Sequence, residues 1–153
     1  MSEVNAIAEM SFHGEFDHGV DLQRRLQIPA DWRPTGPNAK FILLPWEYPA
    51  GFCIRVLTPA KLDHLLKEIN ALPNDNPRKA QLKRYIGANS SRVTLDKNGR
   101  ICLPTGLSEK AGIVNSAKLV SLLDRFEIWN PERYLPVASD DQSVAPDANR
   151  YLG

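Results

Sequence analysis

The sequence lacks the features of a membrane or exported protein. No apolar run approaches the ~18 residues that a membrane span requires, and the N-terminus shows no basic start followed by an apolar core. The sequence has two cysteines, Cys53 and Cys102, each within an apolar strand pattern. Without an export signal, such thiols are typically buried small side chains rather than a disulfide. We therefore expect a cytoplasmic protein with two buried, unpaired thiols.

The sequence also lacks the motifs of an enzyme. It contains no glycine-rich phosphate loop and no Gly-x-Ser-x-Gly nucleophile turn. Its three histidines, His13, His18 and His64, have no cysteine or carboxylate at a metal-ligand spacing. Cys53 has no base close to it along the chain. We therefore expect no catalysis, no cofactor and no metal site.

What the sequence does contain is a repeated unit. The clearer copy, residues 93–104, has alternating apolar residues, the turn signal Asn98-Gly99, a second alternating stretch and a proline that can open a helix. An earlier copy, residues 20–29, aligns with it at a constant offset of 75. A repeat at a fixed offset indicates two structural units of one kind. The matched pairs are Asp21 with Asp96, Arg25 with Arg100, Ile28 with Leu103, and Pro29 with Pro104.

A second parallel lies downstream of each copy. Residues 54–59 and 126–131 are both apolar strand patterns that end in a helix-capping residue followed by proline, Thr58-Pro59 and Asn130-Pro131. A stripe of leucine and isoleucine after Pro59 predicts an amphipathic helix that ends near residue 72.

These signals divide the chain into four segments. We predict a first repeat with its C-terminal helix over 12–72, a linker helix over 73–88 and a second repeat over 89–135. A repeat of roughly 60 residues is marginal alone, so the two are expected to share a core or to assemble with other chains. The polar tail over 136–153 shows no aliphatic periodicity and is predicted to be disordered. Residues 1–11 show no strong pattern, and we expect them to be mobile or lightly tethered.

The net charge of +1 hides an uneven distribution of charge. Residues 78–100 carry seven basic side chains against a single acidic one, Asp96. Such a cluster on a nearly neutral chain suggests an anionic partner. A solvated helix face with basic turn residues explains the same cluster, and both interpretations stay open.

The doubled Asp-x-x-x-Arg hairpin, with its prolines, the helices between the copies and the strand at 126–129, resembles the MraZ family of bacterial transcriptional regulators. Those proteins are built from two AbrB-like repeats. The resemblance covers residues 12–135, and the family signature reads approximately Asp-x-Lys-Gly-Arg in each repeat. The second copy, residues 96–100, fits it closely. The first copy departs from it, with Gln23 and Arg24 where lysine and glycine are usual.

The resemblance implies a mainly β fold with short helices (α+β), in which tandem swapped-hairpin AbrB-like repeats form a pseudo-dimer within one chain. It also implies a homo-oligomeric ring of about eight or more chains. The implied partner is double-stranded DNA, at short direct repeats in the promoter of the cell-division and cell-wall gene cluster. The implied location is the cytoplasm, in association with the nucleoid.

The arginine after each turn is the expected DNA-reading residue, because its planar fork of donors suits a guanine edge or a phosphate. The aspartate four residues earlier either orients that arginine for DNA or only fixes the turn. Basic residues at the hairpin tips are expected to contact phosphates. The predicted site therefore comprises Arg25 and Arg100 for DNA contact, Arg24 and Lys97 for phosphate contact, and Asp21 and Asp96 as orienting residues.

The departures at Gln23 and Arg24 leave an alternative open. In it, the chain is an AbrB-like interaction module, such as an antitoxin-type partner, or a ring scaffold without DNA binding. That alternative predicts a stable ring with no affinity for a promoter.

Overall fold

The computed structural model describes residues 10–153, and within that range the chain forms eight strands and five α-helices. The strands are β1 (Glu15–Gly19), β2 (Arg25–Gln27), β3 (Lys40–Tyr48), β4 (Gly51–Leu57), β5 (Ser91–Thr94), β6 (Arg100–Cys102), β7 (Ser116–Ser121) and β8 (Phe126–Trp129). The helices are α1 (Pro59–Asn70), α2 (Pro77–Asn89), α3 (Thr105–Ala111), α4 (Pro131–Gln142) and α5 (Ala145–Leu152), and a short 3-10 turn covers Ala30–Trp32. The predicted α+β class is confirmed.

The strands form two antiparallel sheets. The larger has six strands in the order β1-β7-β8-β4-β3-β5, and the smaller is a two-stranded ribbon of β2 and β6. Because β4 pairs with β8 and β2 pairs with β6, each sheet joins strands from both halves of the chain. Buried side chains from both halves also form one shared cluster, which includes Phe12, Trp32 and Phe126. The two halves thus share a core, as their small size predicts.

Matched residues of the two copies pair with each other reciprocally. In the ribbon, Leu26 lies opposite Ile101, its equivalent 75 residues later. In the large sheet, Arg55 lies opposite Glu127, its equivalent 72 residues later. This register is what an approximate two-fold relation between the copies would produce. It supports the swapped-hairpin pseudo-dimer, which stays a prediction together with the segment boundaries.

The helix signals at the two proline motifs act as the sequence predicts. The Thr58 hydroxyl accepts a hydrogen bond from the Lys61 amide at 3.1 Å and caps α1. The Asn130 side chain accepts from the amides of Glu132 and Arg133 at 2.9 and 3.1 Å and caps α4. Each cap satisfies backbone donors that the first helical turn leaves unpaired.

The prediction of disorder over 136–153 is wrong. Residues 131–142 form α4 and residues 145–152 form α5. Tyr134 is buried beside Cys53 and Trp129, and Val137 packs against this cluster. Helix α4 is therefore anchored by tertiary packing, which a polar composition does not reveal. The prediction for residues 1–11 concerns, apart from Met10 and Ser11, residues outside the described range.

The expectation of two buried thiols is half correct. Cys53 is buried, but Cys102 is exposed, because it alternates with the inward-facing Ile101 and points away from the core. Strand β3 runs through Pro45 to Tyr48. Pro45 lies past the last residue that β5 pairs, so β3 has only one neighbour there and tolerates a residue without an N–H.

No helix within residues 10–153 combines the length and the apolar character that crossing a membrane would require.

Candidate nucleic-acid interface

The first turn is built around the carboxylate of Asp21. Its Oδ1 atom accepts hydrogen bonds from the backbone amides of Gln23 at 3.0 Å and Arg25 at 2.8 Å. Its Oδ2 atom accepts from Arg25 Nε at 2.7 Å. Arg24 completes the turn with a φ of 60°, a left-handed conformation that a non-glycine residue adopts at some cost.

The second turn repeats this geometry around Asp96. Its Oδ1 atom accepts from the amides of Asn98 at 2.8 Å and Arg100 at 2.9 Å, and its Oδ2 atom accepts from Arg100 Nε at 3.1 Å. Gly99 holds the left-handed position here, with a φ of 79°. The two turns therefore have the same framework, although the residues between aspartate and arginine differ.

The hydrogen bonds also set the charge state of both aspartates. The pKa of the Asp21 carboxyl is lowered from its usual 3.8, mainly by the backbone hydrogen bond from Arg25. The pKa of the Asp96 carboxyl is lowered chiefly by the backbone hydrogen bond from Arg100. Both carboxylates are thus ionised near neutral pH, and each neutralises part of the charge of the arginine that it orients.

The two arginines lie on one outward face of the ribbon. In β2 and β6 the middle residues, Leu26 and Ile101, are buried, and the flanking residues point outward. Arg25 lies opposite Cys102, and Arg100 lies opposite Gln27. Arg25 and Arg100 are therefore diagonal neighbours, about 7–8 Å apart between their backbones. We call this surface the hairpin face; it consists of the outward side chains Arg25, Gln27, Arg100 and Cys102 and of the turns 21–24 and 96–99.

Each turn is also tied to the opposite copy. The Gln27 side-chain amide donates to the carbonyl of Asn98 at 3.0 Å, and the Cys102 thiol donates to the carbonyl of Gln23 at 3.3 Å. The backbone adds a matching pair of hydrogen bonds, Leu103 N to Arg24 O at 2.8 Å and Ile28 N to Gly99 O at 2.9 Å. The spacing between the two turns is thereby fixed by hydrogen bonds between the copies.

The predicted tip residues occupy different settings. Lys97 is exposed at the tip of the second turn, whereas the matched position in the first turn carries Leu22, which is 97% exposed. Arg24 is half-buried, and its Nε atom donates to the carbonyl of Leu103 at 3.0 Å. The terminal nitrogens of Arg24 form no hydrogen bond with any residue in 10–153.

Arg33 lies beside the second turn of the hairpin face, and sequence reasoning missed it. Its Nε atom donates to the carbonyl of Ile28 at 2.8 Å, and its guanidinium lies against Gly99, at the second turn. The repeat offered no signal for it, because the position 75 residues later is Ser108. The approach of Arg33 to Gly99 spans 66 positions of the chain and appears only in the folded structure.

The described residues show no arrangement suited to metal binding. Among residues 10–153, no group of three or more His, Cys, Asp or Glu side chains is placed to hold a metal ion. The buried Glu127 carboxylate instead accepts hydrogen bonds from Tyr48, Arg55 and Trp129 at 2.8–3.3 Å. Burial, followed by the hydrogen bond to Glu127, raises the pKa of Tyr48 to about 12.

Comparison with known proteins identifies the family. A family model described as "MraZ protein, putative antitoxin-like" matches residues 86–152. The chain is 32% identical over 123 residues to the transcriptional regulator MraZ of Leuconostoc citreum (strain KM20). The aligned residues make up 80% of this chain and 83% of the relative. The chain belongs to the MraZ family. Its MraZ relative from Herpetosiphon aurantiacus is 34% identical over 135 residues, covering 88% of this chain and 92% of the relative, and the one from Roseiflexus sp. (strain RS-1) is 31% identical over 92% of both.

Membership in MraZ confirms the resemblance that the doubled hairpin suggested. The MraZ relatives carry the name transcriptional regulator, so the chain is a member of a family of transcription regulators.

Proposed function

We propose that the chain is a sequence-specific, DNA-binding transcription regulator that reads promoter direct repeats through the arginines of its two hairpins. The observation that carries this proposal is the placement of Arg25 and Arg100 as diagonal neighbours on one outward face of a two-stranded ribbon. The regulated genes are those of the cell-division and cell-wall cluster, and the protein acts in the cytoplasm at the nucleoid.

The ribbon has a suitable shape for the major groove of DNA. A two-stranded β-ribbon fits a groove about 12 Å wide, and an arginine fork can donate two hydrogen bonds to the O6 and N7 atoms of guanine. The side chain of Arg25 is 40% exposed and that of Arg100 is 28% exposed, so both can reach a partner. Asp21 and Asp96 restrict the rotamers of these arginines through Nε. Arg25 Nη2 also donates to the Gln23 side chain at 3.3 Å, whereas Arg25 Nη1 and both terminal nitrogens of Arg100 form no hydrogen bond within the described residues and are left for the bases.

Phosphate contacts complete the interaction. Lys97 projects from the second turn into solvent, and Arg24 keeps two guanidinium nitrogens free of hydrogen bonds within the described residues. Contacts of this kind fix the register of a protein on the duplex without reading its sequence.

Several chains acting together would supply the affinity that one hairpin face lacks. We propose a homo-oligomeric ring of about eight or more chains, in which repeated sites on the DNA engage several faces at once. Trp46 and Tyr85 support such assembly, because they line one apolar groove and are 43% and 64% exposed. The mass of the particle in solution, measured by light scattering, tests this part directly.

Binding of the full chain to the DNA upstream of its own gene tests the proposal. We expect tight, salt-sensitive binding that the double variant Arg25→Ala with Arg100→Ala abolishes, while Arg150→Ala, on the exposed helix α5, binds normally. Binding that survives the double change would move the contact to another surface, such as α2 with Arg78 and Arg84. A ring that binds no promoter DNA would favour the AbrB-like scaffold or interaction module.

A further inference from the structure

The two turns differ most at their left-handed position. The first turn has Arg24 there, and the second has Gly99, which brings no side chain. In the first turn, the Arg24 side chain reaches across the ribbon to the carbonyl of Leu103 at 3.0 Å. A glycine cannot make the matching hydrogen bond to the carbonyl of Ile28, which is the equivalent of Leu103.

Arg33 makes that matching hydrogen bond instead. Its Nε atom donates to Ile28 O at 2.8 Å, and its guanidinium occupies the place of the side chain that Gly99 lacks. A Cβ atom added to Gly99 would clash with the Arg33 guanidinium, and Gly99 is buried under it. Two guanidinium groups thus donate to equivalent carbonyls beside the two turns, although they come from unrelated positions of the sequence.

From this geometry we infer that Arg33 contacts a DNA phosphate beside the second hairpin, as the counterpart of Arg24 at the first. This inference rests on the proposed DNA-binding function. It completes the hairpin face as two equivalent basic sites, Arg24 with Arg25 and Arg33 with Arg100.

The surroundings of Arg33 suit a phosphate. Its Nε atom is engaged, and its two terminal nitrogens form no hydrogen bond with any residue in 10–153. Arg33 and Lys97 both line a groove of about 420 Å³ beside the second turn, and Asp96, the acidic residue that lines it, is already paired with Arg100. A planar guanidinium with free terminal donors next to a lysine matches the charge and the hydrogen-bonding needs of a phosphate.

The test measures how binding to the upstream DNA and to a scrambled duplex depends on salt. We expect Arg33→Gln to weaken binding to both duplexes alike and to lower the salt slope by about 1 for each phosphate that the protein no longer neutralises. Arg24→Gln, the matched variant at the first turn, should behave in the same way. Arg33→Lys should keep the slope, and Arg150→Gln controls for the removal of one remote positive charge.

A rescue variant tests the equivalence of the two positions. In Arg33→Gln combined with Gly99→Arg, the second turn acquires the arrangement of the first, whose left-handed position already holds an arginine at a φ of 60°. We expect this double variant to recover the wild-type salt slope. A folded double variant with the slope of Arg33→Gln alone would overturn the equivalence.

The outcomes separate a phosphate contact from a purely structural role. An unchanged slope for Arg33→Gln overturns the inference, as does a loss of affinity that follows a lower melting temperature and is the same for Arg33→Lys. If the unchanged protein binds and only the Arg25 and Arg100 variants lose binding, the inference about Arg33 fails while the proposed DNA-binding function stands. If the unchanged protein does not bind DNA, the proposed function fails, and this inference fails with it.

Discussion

The first hairpin carries Leu22, Gln23 and Arg24 where the second carries Lys97, Asn98 and Gly99, yet the two turns share their hydrogen bonds. In both, one aspartate oxygen accepts from two backbone amides and the other accepts from an arginine four residues later. The aspartate and the arginine therefore determine the shape of the turn, and the residues between them can vary. That freedom lets the two tips differ in charge while their arginines keep one arrangement.

The centre of the large sheet shows the opposite relation between the copies. Equivalent positions meet there as Arg55 and Glu127, which form a buried ion pair at 3.0 Å. Two identical residues in that place would bring like charges together in a low-dielectric interior. The copies are thus alike in the aspartate–arginine pairs of their turns and opposite in charge at the centre of the large sheet, which favours pairing of the first copy with the second.

The largest expected effect comes from breaking this central pair. Arg55→Met leaves the Glu127 carboxylate buried without its cationic partner, and we expect the free energy of unfolding to fall by about 3 kcal/mol. The melting temperature should fall by about 6–12 °C. As a control, Arg125→Met removes a pair whose Asp124 partner is 49% exposed, and should cost about 0–1 kcal/mol. Equal losses for the two variants would contradict the distinction between buried and exposed pairs.

An intermediate effect is expected from the left-handed positions of the turns. Gly99→Ala adds a Cβ at positive φ and displaces Arg33, which should lower the free energy of unfolding by about 2 kcal/mol. Arg24→Ala starts from a residue that already bears a Cβ there and loses mainly one hydrogen bond, at a cost of about 1 kcal/mol. Chemical denaturation of both variants gives the comparison, and a larger loss for Arg24→Ala than for Gly99→Ala would contradict the cost assigned to a Cβ at position 99.

The smallest effect is a dependence of stability on acid that the two turns share. Folding lowers the pKa of both aspartates below 3.8, so their contribution is present above that usual value and is lost as the pH falls through the folded-state pKa. We expect Asp21→Asn with Asp96→Asn to flatten the stability profile in that acidic range. Asp75→Asn, in an exposed turn, should leave the profile unchanged. A double variant with the wild-type profile would contradict the role assigned to these carboxylates.

Features set by local chemistry could be predicted from the sequence. The turns, their aspartate–arginine pairs and the caps at Thr58 and Asn130 depend on residues within four positions of each other, so short motifs reveal them. The exposure of Cys102 could also have been predicted, because the residue alternates with Ile101, and only one of two alternating residues in a strand faces the core.

The remaining features depend on packing between distant parts of the chain. Helix α4 extends into a polar tail because Tyr134 packs beside Cys53 and Trp129. Arg33 reaches the second turn only because the ribbon brings β2 and β6 together. Neither interaction has a signature in spacing or composition, since each requires the fold to be known.

The central claim is that the two hairpin arginines read DNA sequence as one surface. The most direct test compares binding of the promoter duplex and a scrambled duplex by the double variant Arg25→Lys with Arg100→Lys, which keeps the charge and removes the planar forks. We predict that non-specific binding and the salt slope persist, while the absence of each bidentate arginine–guanine pair removes about 1–3 kcal/mol of discrimination. Discrimination equal to that of the unchanged protein would contradict the claim.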